Sequence, residues 1–517
     1  MKAKADAFSG EATIFKRGFA VGWTSISSTF PSIYRRLAFV AVLSLSVFFS
    51  VCPPVKAATR TWDGGGADAL WDTILNWDND ALPANGDIIV FGSAFSSGST
   101  ISLNGNRTVG SLQINTITGF SLTNSTLTLG SGDITRVDAV GTEADQTISS
   151  NIALGADGNW NIAGSGNFTV SGIVSGARKL TKLGAGTLIL SGANTFTGEF
   201  SASAGTVGLG NDSATGTGNF KIGAITVYSV GNARTISNSL TLDQNFTIGG
   251  SLDLTFTGAA TLARDITITT TNTGLSTFSG VISGGHHVTS AGAGTLVFSG
   301  ANTYSGETRI NAGVLNVRNG SALGDNTKTK VASGAALEVQ GGINIASEPL
   351  ELSGTGISSR GALRNISGNN TWGGTVTLTA AASIASDSGL LTIGGNIVNG
   401  GFGLTVSGAG NVTASGVVSG TGTLTKSDSG VLTLSGTNTY SGATTINGGT
   451  INVNSSASLG NISAGLTINA GTLQVSTGFT TTRTITLGDA TSTFQIDPSQ
   501  TYTVTTAIGG SGSLNKT

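Results

Sequence analysis

Three segments of this chain repeat nearly the same wording, and that self-similarity limits the possible folds more than any other feature. From Leu180 it reads LTKLGAGTLILSGANTFTGEFSASAGTV, and from Val288 VTSAGAGTLVFSGANTYSGETRINAGVL. From Leu424 it reads LTKSDSGVLTLSGTNTYSGATTINGGTI. The starts lie 108 and 136 residues apart. A related phrase precedes each copy: SGIVSG from Ser171, SGVISG from Ser279 and SGVVSG from Ser415. A shorter period runs inside. Glycine opens a small alternating strand at Gly166, Gly186, Gly205 and Gly223, then at Gly274, Gly294, Gly313 and Gly334, then at Gly410, Gly430, Gly449 and Gly471. The steps are 20, 19, 18; 20, 19, 21; and 20, 19, 22 residues.

About twenty residues is too short for a strand–helix–strand unit. A four-residue strand such as Thr187-Leu188-Ile189-Leu190 has one apolar face and two unpaired edges, and is unstable alone. Stacking successive coils in register pairs each edge with the next coil and buries a continuous core. Composition agrees: 79 Gly, only 6 Pro and 10% charged residues in 517, with helix formers scarce. No Gly-x-y period marks a collagen, and the apolar supply excludes disorder. The expected fold is therefore all-β, a right-handed parallel β-helix (β-solenoid) with about 20 residues per coil and a length of roughly 110 Å. Gly and Asn suit its corners because both tolerate positive φ. Asn194, Asn302 and Asn438, in the phrase S-G-x-N-T, are expected there in left-handed turns.

Residues 1–57 differ in kind. Six basic residues (Lys2, Lys4, Lys16, Arg17, Arg35, Arg36) precede an uncharged apolar run over residues 37–51, and Val55-Lys56-Ala57 offers a small-x-small cleavage site. This pattern predicts a secretory signal peptide with an extended basic leader, and a mature start at Ala58. A retained membrane anchor is the alternative, but the run is short and ends at Pro53-Pro54. The only Cys, Cys52, leaves with the leader, so the mature chain forms neither disulfides nor thiolate metal sites. Removing seven Lys/Arg and two Asp/Glu from totals of 25 and 27 leaves 18 basic and 25 acidic residues, with no basic patch for nucleic acid.

The phrase LTKxGxGTLxLSGxNTYSG followed by T-x-I-N-x-G resembles the autotransporter-associated beta strand repeat of bacterial surface proteins. Ser290 in place of Lys182 or Lys426, and Asp428 in place of Gly184, depart from it. The resemblance implies an exported, non-enzymatic β-helix passenger at the cell surface or outside the cell, serving as structural stalk or adhesin. It also implies surface glycans or host and neighbour-cell surfaces as partners, no cofactor, and membrane contact only through a C-terminal translocator or anchor. Leu514-Asn515-Lys516 matches the opening of a fourth copy, so residues 96–517 read as a repeat region truncated inside that copy.

Residues 58–95 stand apart. Trp62, Trp71 and Trp77 fall within sixteen residues, beside Asp78 and Asp87. A cap closing the solenoid end is one reading. A glycan-binding patch, with Trp faces stacking on sugar and Asp78 or Asp87 accepting hydroxyl hydrogen bonds, is the other. No metal or catalytic residue is assigned. His286 and His287, as neighbours on a strand, would point to opposite faces. Asp428-Ser429-Gly430 and Asp387-Ser388-Gly389 lack an identifiable triad. The competing enzyme class, a β-helix polysaccharide lyase or glycosidase, needs carboxylates on neighbouring coils. The sequence clusters only Asp133, Asp138, Glu143 and Asp145. The pairs Thr126/Thr128, Thr267/Thr269, Thr375/Thr377 and Thr484/Thr486 have the local form of an ice-binding face but are not expected to recur coil after coil.

Overall fold

A computed structural model describes residues 57–92, 99–116, 118–137, 143–325 and 327–517. The expected leader, Ala57 excepted, and Asp138 lie outside the described residues. Among the described residues every strand pair is parallel and no α-helix occurs, only four short 3-10 turns. The antiparallel contact is an isolated bridge between Trp62 and Trp77. Coils stack as a β-solenoid: Leu188 pairs with Val207, Val207 with Val227, and Val227 with Ile248, at steps of 19, 20 and 21 residues. These four side chains point inward and are fully buried. Each buried aliphatic side chain contributes about 1.5–3 kcal/mol, and the column continues from coil to coil.

The three near-identical segments are each a self-pairing unit. In the first, Leu180–Leu183 pairs with residues 200–202 and Thr187–Leu190 with residues 206–209. The same two pairings recur from Val288 and from Leu424. Two rungs of two ladders therefore fit into about 30 residues. Most of the glycine steps coincide with these registers. Gly223 and Gly334 do not: Gly205 lies opposite Ile225, and Val314 lies opposite Ala336.

The repeated asparagines are not left-handed. Positive φ among non-glycines occurs at Asn79, Asp80, Asn104, Asn124, Ser125, Ser358, Ser359, Asp428 and Ser499. Asn194, Asn302 and Asn438 instead point into the core, where they are nearly fully buried. Each bridges the coil before and the coil after. Asn302 Oδ1 accepts the Ile282 N–H at 2.8 Å and its Nδ2 donates to the Ala322 carbonyl at 2.6 Å. Asn194 links Val174 to Ala214 and Asn438 links Val418 to Ser458 in the same way. A side chain carrying both a donor and an acceptor is what two stacked corners require.

The same logic explains how the copies differ. Tyr304 and Thr308 share a buried hydroxyl contact at 2.5 Å, and Tyr440 and Thr444 one at 2.8 Å. The first copy has Phe196 and Phe200 in these places, ring to ring at 6.3 Å. Both hydroxyls are present or both are absent, so none is buried without a partner. Lys182 is also inside, its Nζ donating to the Leu183, Gly184 and Ala204 carbonyls. Burial pulls the Lys182 and Lys426 ammonium groups down to about 8. The second copy substitutes the small buried Ser290.

One register corrects the sequence reading. Leu424–Lys426 belongs to the ladder that runs through Thr444–Ile446, Leu466–Ile468, Ile485–Leu487 and Ile508–Gly510. Leu514–Lys516 stacks on Ser492–Ile496, in the ladder of Val431–Leu434. Its three letters match the opening of a repeat copy, but it occupies the other ladder.

A candidate binding groove

The tryptophans expected to stack on sugar are inside. Trp62, Trp71 and Trp77 are 3%, 2% and 0% exposed, and edge-to-face contacts at 5.1 and 4.7 Å join them through Trp77. The Trp77 indole N–H donates to the Trp71 carbonyl at 2.8 Å. The neighbouring carboxylates are engaged with backbone. Asp78 accepts the Thr61 N–H at 3.0 Å. Asp87 accepts Ala58 and Ala84 N–H groups, both at 2.9 Å, with Arg60 3.7 Å away. Asn76 ties the loop back through Gly66, Asp68 and Leu70. The sugar-stacking reading of Trp62, Trp71, Trp77, Asp78 and Asp87 is therefore corrected: no open ring face exists there, and the group forms the aromatic base of the first coil.

The acidic stretch is likewise taken up by folding. Glu143 pairs with Arg136 at 2.8 Å, both side chains 1% exposed, while Asp133 and Asp145 accept N–H groups of Asn159 and Asn167 one coil on. His286 and His287 sit in a corner rather than on a strand, and both meet Asp265. Its Oδ1 lies 3.4 Å from His286 Nδ1 and accepts the His287 N–H at 3.0 Å. His287 Nδ1 in turn accepts the Glu307 N–H at 2.7 Å, so the pair extends a ladder of corner acceptors.

Threonine recurrence is stronger than the sequence conveyed. Thr187, Thr206, Thr226, Thr247 and Thr269 form one outward column, rung over rung. Thr405, Thr425, Thr445, Thr467 and Thr486 form a second. A third runs Asn344, Thr371, Thr392, Thr413, Thr433, Asn452, Gln474, Gln495. The third column has a short companion row, Thr450, Thr472 and Thr493, while the first is single. Beside the first stand Ile189, Gly208 and Tyr228, not a second row of Thr.

A groove of about 250 Å³ opens where the coil length changes. Leu337 pairs with Leu363 after 26 residues, whereas Leu363 pairs with Ile384 after 21. The surplus forms an excursion that includes the turn Ile357–Ser359, with Ser358 and Ser359 at φ 50° and 59°. It raises Arg360 as one wall. Asp428, also left-handed at φ 60°, forms the other, and Ala385, Gly408 and Ala409 lie between them. Gly408 is required there: at φ 95° an added Cβ would lie 2.0 Å from the Ser386 carbonyl oxygen.

A charge ladder holds the first wall. Asn316 donates to Glu338 at 3.0 Å, and Arg364 reaches Glu338 at 2.8 Å. Arg364 also grips both oxygens of Asp387, to which Arg360 adds a contact at 3.2 Å. Asp387 is thus neutralised, while the Arg360 side chain stays 60% exposed. On the far wall the exposed Asp428 accepts the Gly408 N–H at 2.9 Å through Oδ2. The arrangement presents guanidinium donors opposite a carboxylate acceptor, with Ser359 and Ser407 hydroxyls along the edge. A signal for this was present: the two Asp-Ser-Gly triplets begin 41 residues apart, two coil lengths. Among the described residues no group of three or more His, Cys, Asp or Glu is placed to hold a metal ion.

Comparison with known proteins agrees with the stacked coils. The Passenger-associated-transport-repeat family matches residues 180–209, 288–317 and 424–453, the three self-pairing units. The chain is 28% identical over 397 residues to the BmaC autotransporter adhesin of Brucella suis biovar 1, an alignment covering 70% of this chain. The chain spans about 9% of that protein's length. No solved structure matches it. Three copies of the repeat, each placed as two rungs of two parallel ladders, are what the chain shares with autotransporter passengers, and they support its reading as a passenger-like repeat protein.

Proposed function

We propose that the chain is an exported, surface-displayed or secreted passenger that works as a structural stalk and adhesive surface rather than as an enzyme. The observation that carries this reading is the scarcity of charge on the outer columns of the last coils, from Ser388 to Gly488. The charged residues there are Lys426, Asp428 and Arg483, and Lys426 and Arg483 are buried. Hydroxyl and amide side chains repeat there at every coil, about 4.8 Å apart, as in the column from Thr371 to Gln495. Such a surface makes many weak, uncharged contacts with hydroxyl-rich partners such as cell-surface glycans, and is little affected by salt. The related Brucella protein is named an adhesin, which supports the same reading.

A polysaccharide lyase or glycosidase is the second reading, because the groove brings Asp387 and Asp428 onto alternate coils beside Arg360. Two arginines hold Asp387 as an ion pair, which disfavours its action as an acid or base. The test is adhesion of beads coated with the full chain to epithelial cells and glycan-coated glass, alongside assay for cleaved polysaccharide. Saturable adhesion without cleavage is expected, and N-terminal sequencing of exported protein should begin at Ala58. Cleavage products without adhesion would overturn the proposal.

A further inference from the structure

We infer that the groove between Arg360 and Asp428 is a subsite for a single neutral sugar ring. This rests on the adhesin reading and names a ligand class for one place on its surface. Size is the first argument. Pockets for drug-sized ligands run about 300–1,000 Å³, so a groove of about 250 Å³ holds one ring rather than an oligosaccharide, whose flanking sugars would lie outside. Shape is the second. Ala385, Gly408 and Ala409 keep the space between the walls free of bulky side chains, so a flat ring can approach the backbone there.

Hydrogen-bonding character is the third argument, and it selects the ligand. Sugar hydroxyls both donate and accept. Arg360, its side chain 60% exposed, has N–H groups beyond its contact with Asp387, and the exposed Asp428 has a second carboxylate oxygen beside the one on the Gly408 N–H. Hydroxyls on opposite sides of one ring suit the two walls, with charge-assisted bonds at each. Charged sugars fit worse. The cations of the groove are already paired, Arg360 and Arg364 with Asp387 and Arg364 also with Glu338, so a hexuronate or an aminosugar brings in a charge for which the balanced groove holds no unpaired counter-charge. The groove itself balances: Arg360, Arg364 and the neighbouring Lys426 offset Glu338, Asp387 and Asp428. Salt therefore weakens neutral-sugar binding little.

Saturation-transfer NMR and titration of the full chain test this, with methyl glycosides of glucose, galactose and mannose, glucuronate and glucosamine as probes. At least one neutral glycoside should bind in the millimolar range, with glucuronate and glucosamine at least tenfold weaker. Arg360→Ala and Asp428→Asn should each reduce binding tenfold or more, with unchanged thermal unfolding. Arg360 is exposed, and asparagine both tolerates the left-handed backbone and keeps an oxygen for the Gly408 N–H. Failure of every neutral glycoside to bind, tighter binding of glucuronate, or full binding by both variants would overturn the inference. Bead adhesion that survives in both variants alongside such a failure would leave the adhesin reading standing. Absence of adhesion by the unmodified chain would remove that reading independently.

Discussion

Replacing Asn302 distinguishes the two explanations for an asparagine in every repeat copy. A left-handed corner would accept glycine at no cost, since glycine adopts positive φ freely. An amide bridge would not. Removal of the Asn302 side chain strips the Ile282 N–H of its acceptor and the Ala322 carbonyl of its donor, both in the buried interior. Each orphaned buried group costs about 1–3 kcal/mol, so Asn302→Gly and Asn302→Val should both destabilise locally by about 2–6 kcal/mol. Asn302→Asp should depend on pH. Its carboxyl, buried and facing the Ala322 carbonyl, would titrate above its ordinary value of about 3.9. Below the unfolded value it is protonated in both states, donates to Ala322, and recovers stability; as pH rises through the raised folded value that stability is lost. Coupling in a solenoid is chiefly between neighbouring coils, so hydrogen exchange is the apt measurement, with loss of protection centred on residues 281–283 and 321–323. Wild-type protection in Asn302→Gly would refute the bridge and restore the left-handed corner.

Two further outcomes follow from buried groups. The folded values of Lys182 and Lys426, at about 8, lie below the unfolded one of about 10.4. The unfolded chain therefore binds more protons between them, and stability should rise from pH 8 to 10 by on the order of 1–2 kcal/mol per lysine. Denaturant titrations should show the rise vanish in the double variant Lys182→Met, Lys426→Met; above pH 10, ionisation of Tyr440 and Tyr502 in the unfolded chain, both held at about 12 when folded, should turn stability down. Trp77→Ala should cost about 3–5 kcal/mol locally and release Thr59–Trp62 to rapid hydrogen exchange, with the coils after Ile114 unaffected; global unfolding in step with it would contradict coil-by-coil stability.

The architecture was legible because its cause is local and repeated. An alternating strand such as residues 187–190 must bury Leu188 and Leu190, and a glycine recurring at 19 to 22 residues sets the rung on which the next such strand lands. Most rungs fell where that spacing placed them. What the pattern obscured was the role of residues whose surroundings come from other coils. A repeated Asn in a turn phrase fits both a left-handed turn and an inward amide, because the deciding groups lie 20 residues away on either side. The tryptophans posed the same ambiguity. Three large rings near a chain segment rich in Asp serve a sugar or a core equally well by composition; the pairing of residues 59–62 with 88–91 turns Trp62 inward, and the Trp62–Trp77 bridge and the Trp71 N–H bond to the Ser102 carbonyl bring the other two beside it.

The groove was illegible for the opposite reason: it lies where the period fails. Between Gly334 and Gly368 the regular glycine steps lapse, and the coil that reaches Leu363 takes 26 residues. A uniform coil offers uniform columns, and the long Thr, Asn and Gln ladders are the surface that results. Specific recognition needs groups of different kind facing one another, which a strict repeat does not supply. The excursion at residues 355–361 breaks the uniformity by lifting Arg360 over the coil that carries Asp387. Asp428, standing where the first copy has Gly184, breaks it again two coils beyond Asp387. Each departure looks minor alone, a longer loop and one substituted repeat position. Three rungs separate the coil of the excursion from that of Asp428, yet both line the same groove, so in a chain this regular the lapses in the repeat are where to look for recognition.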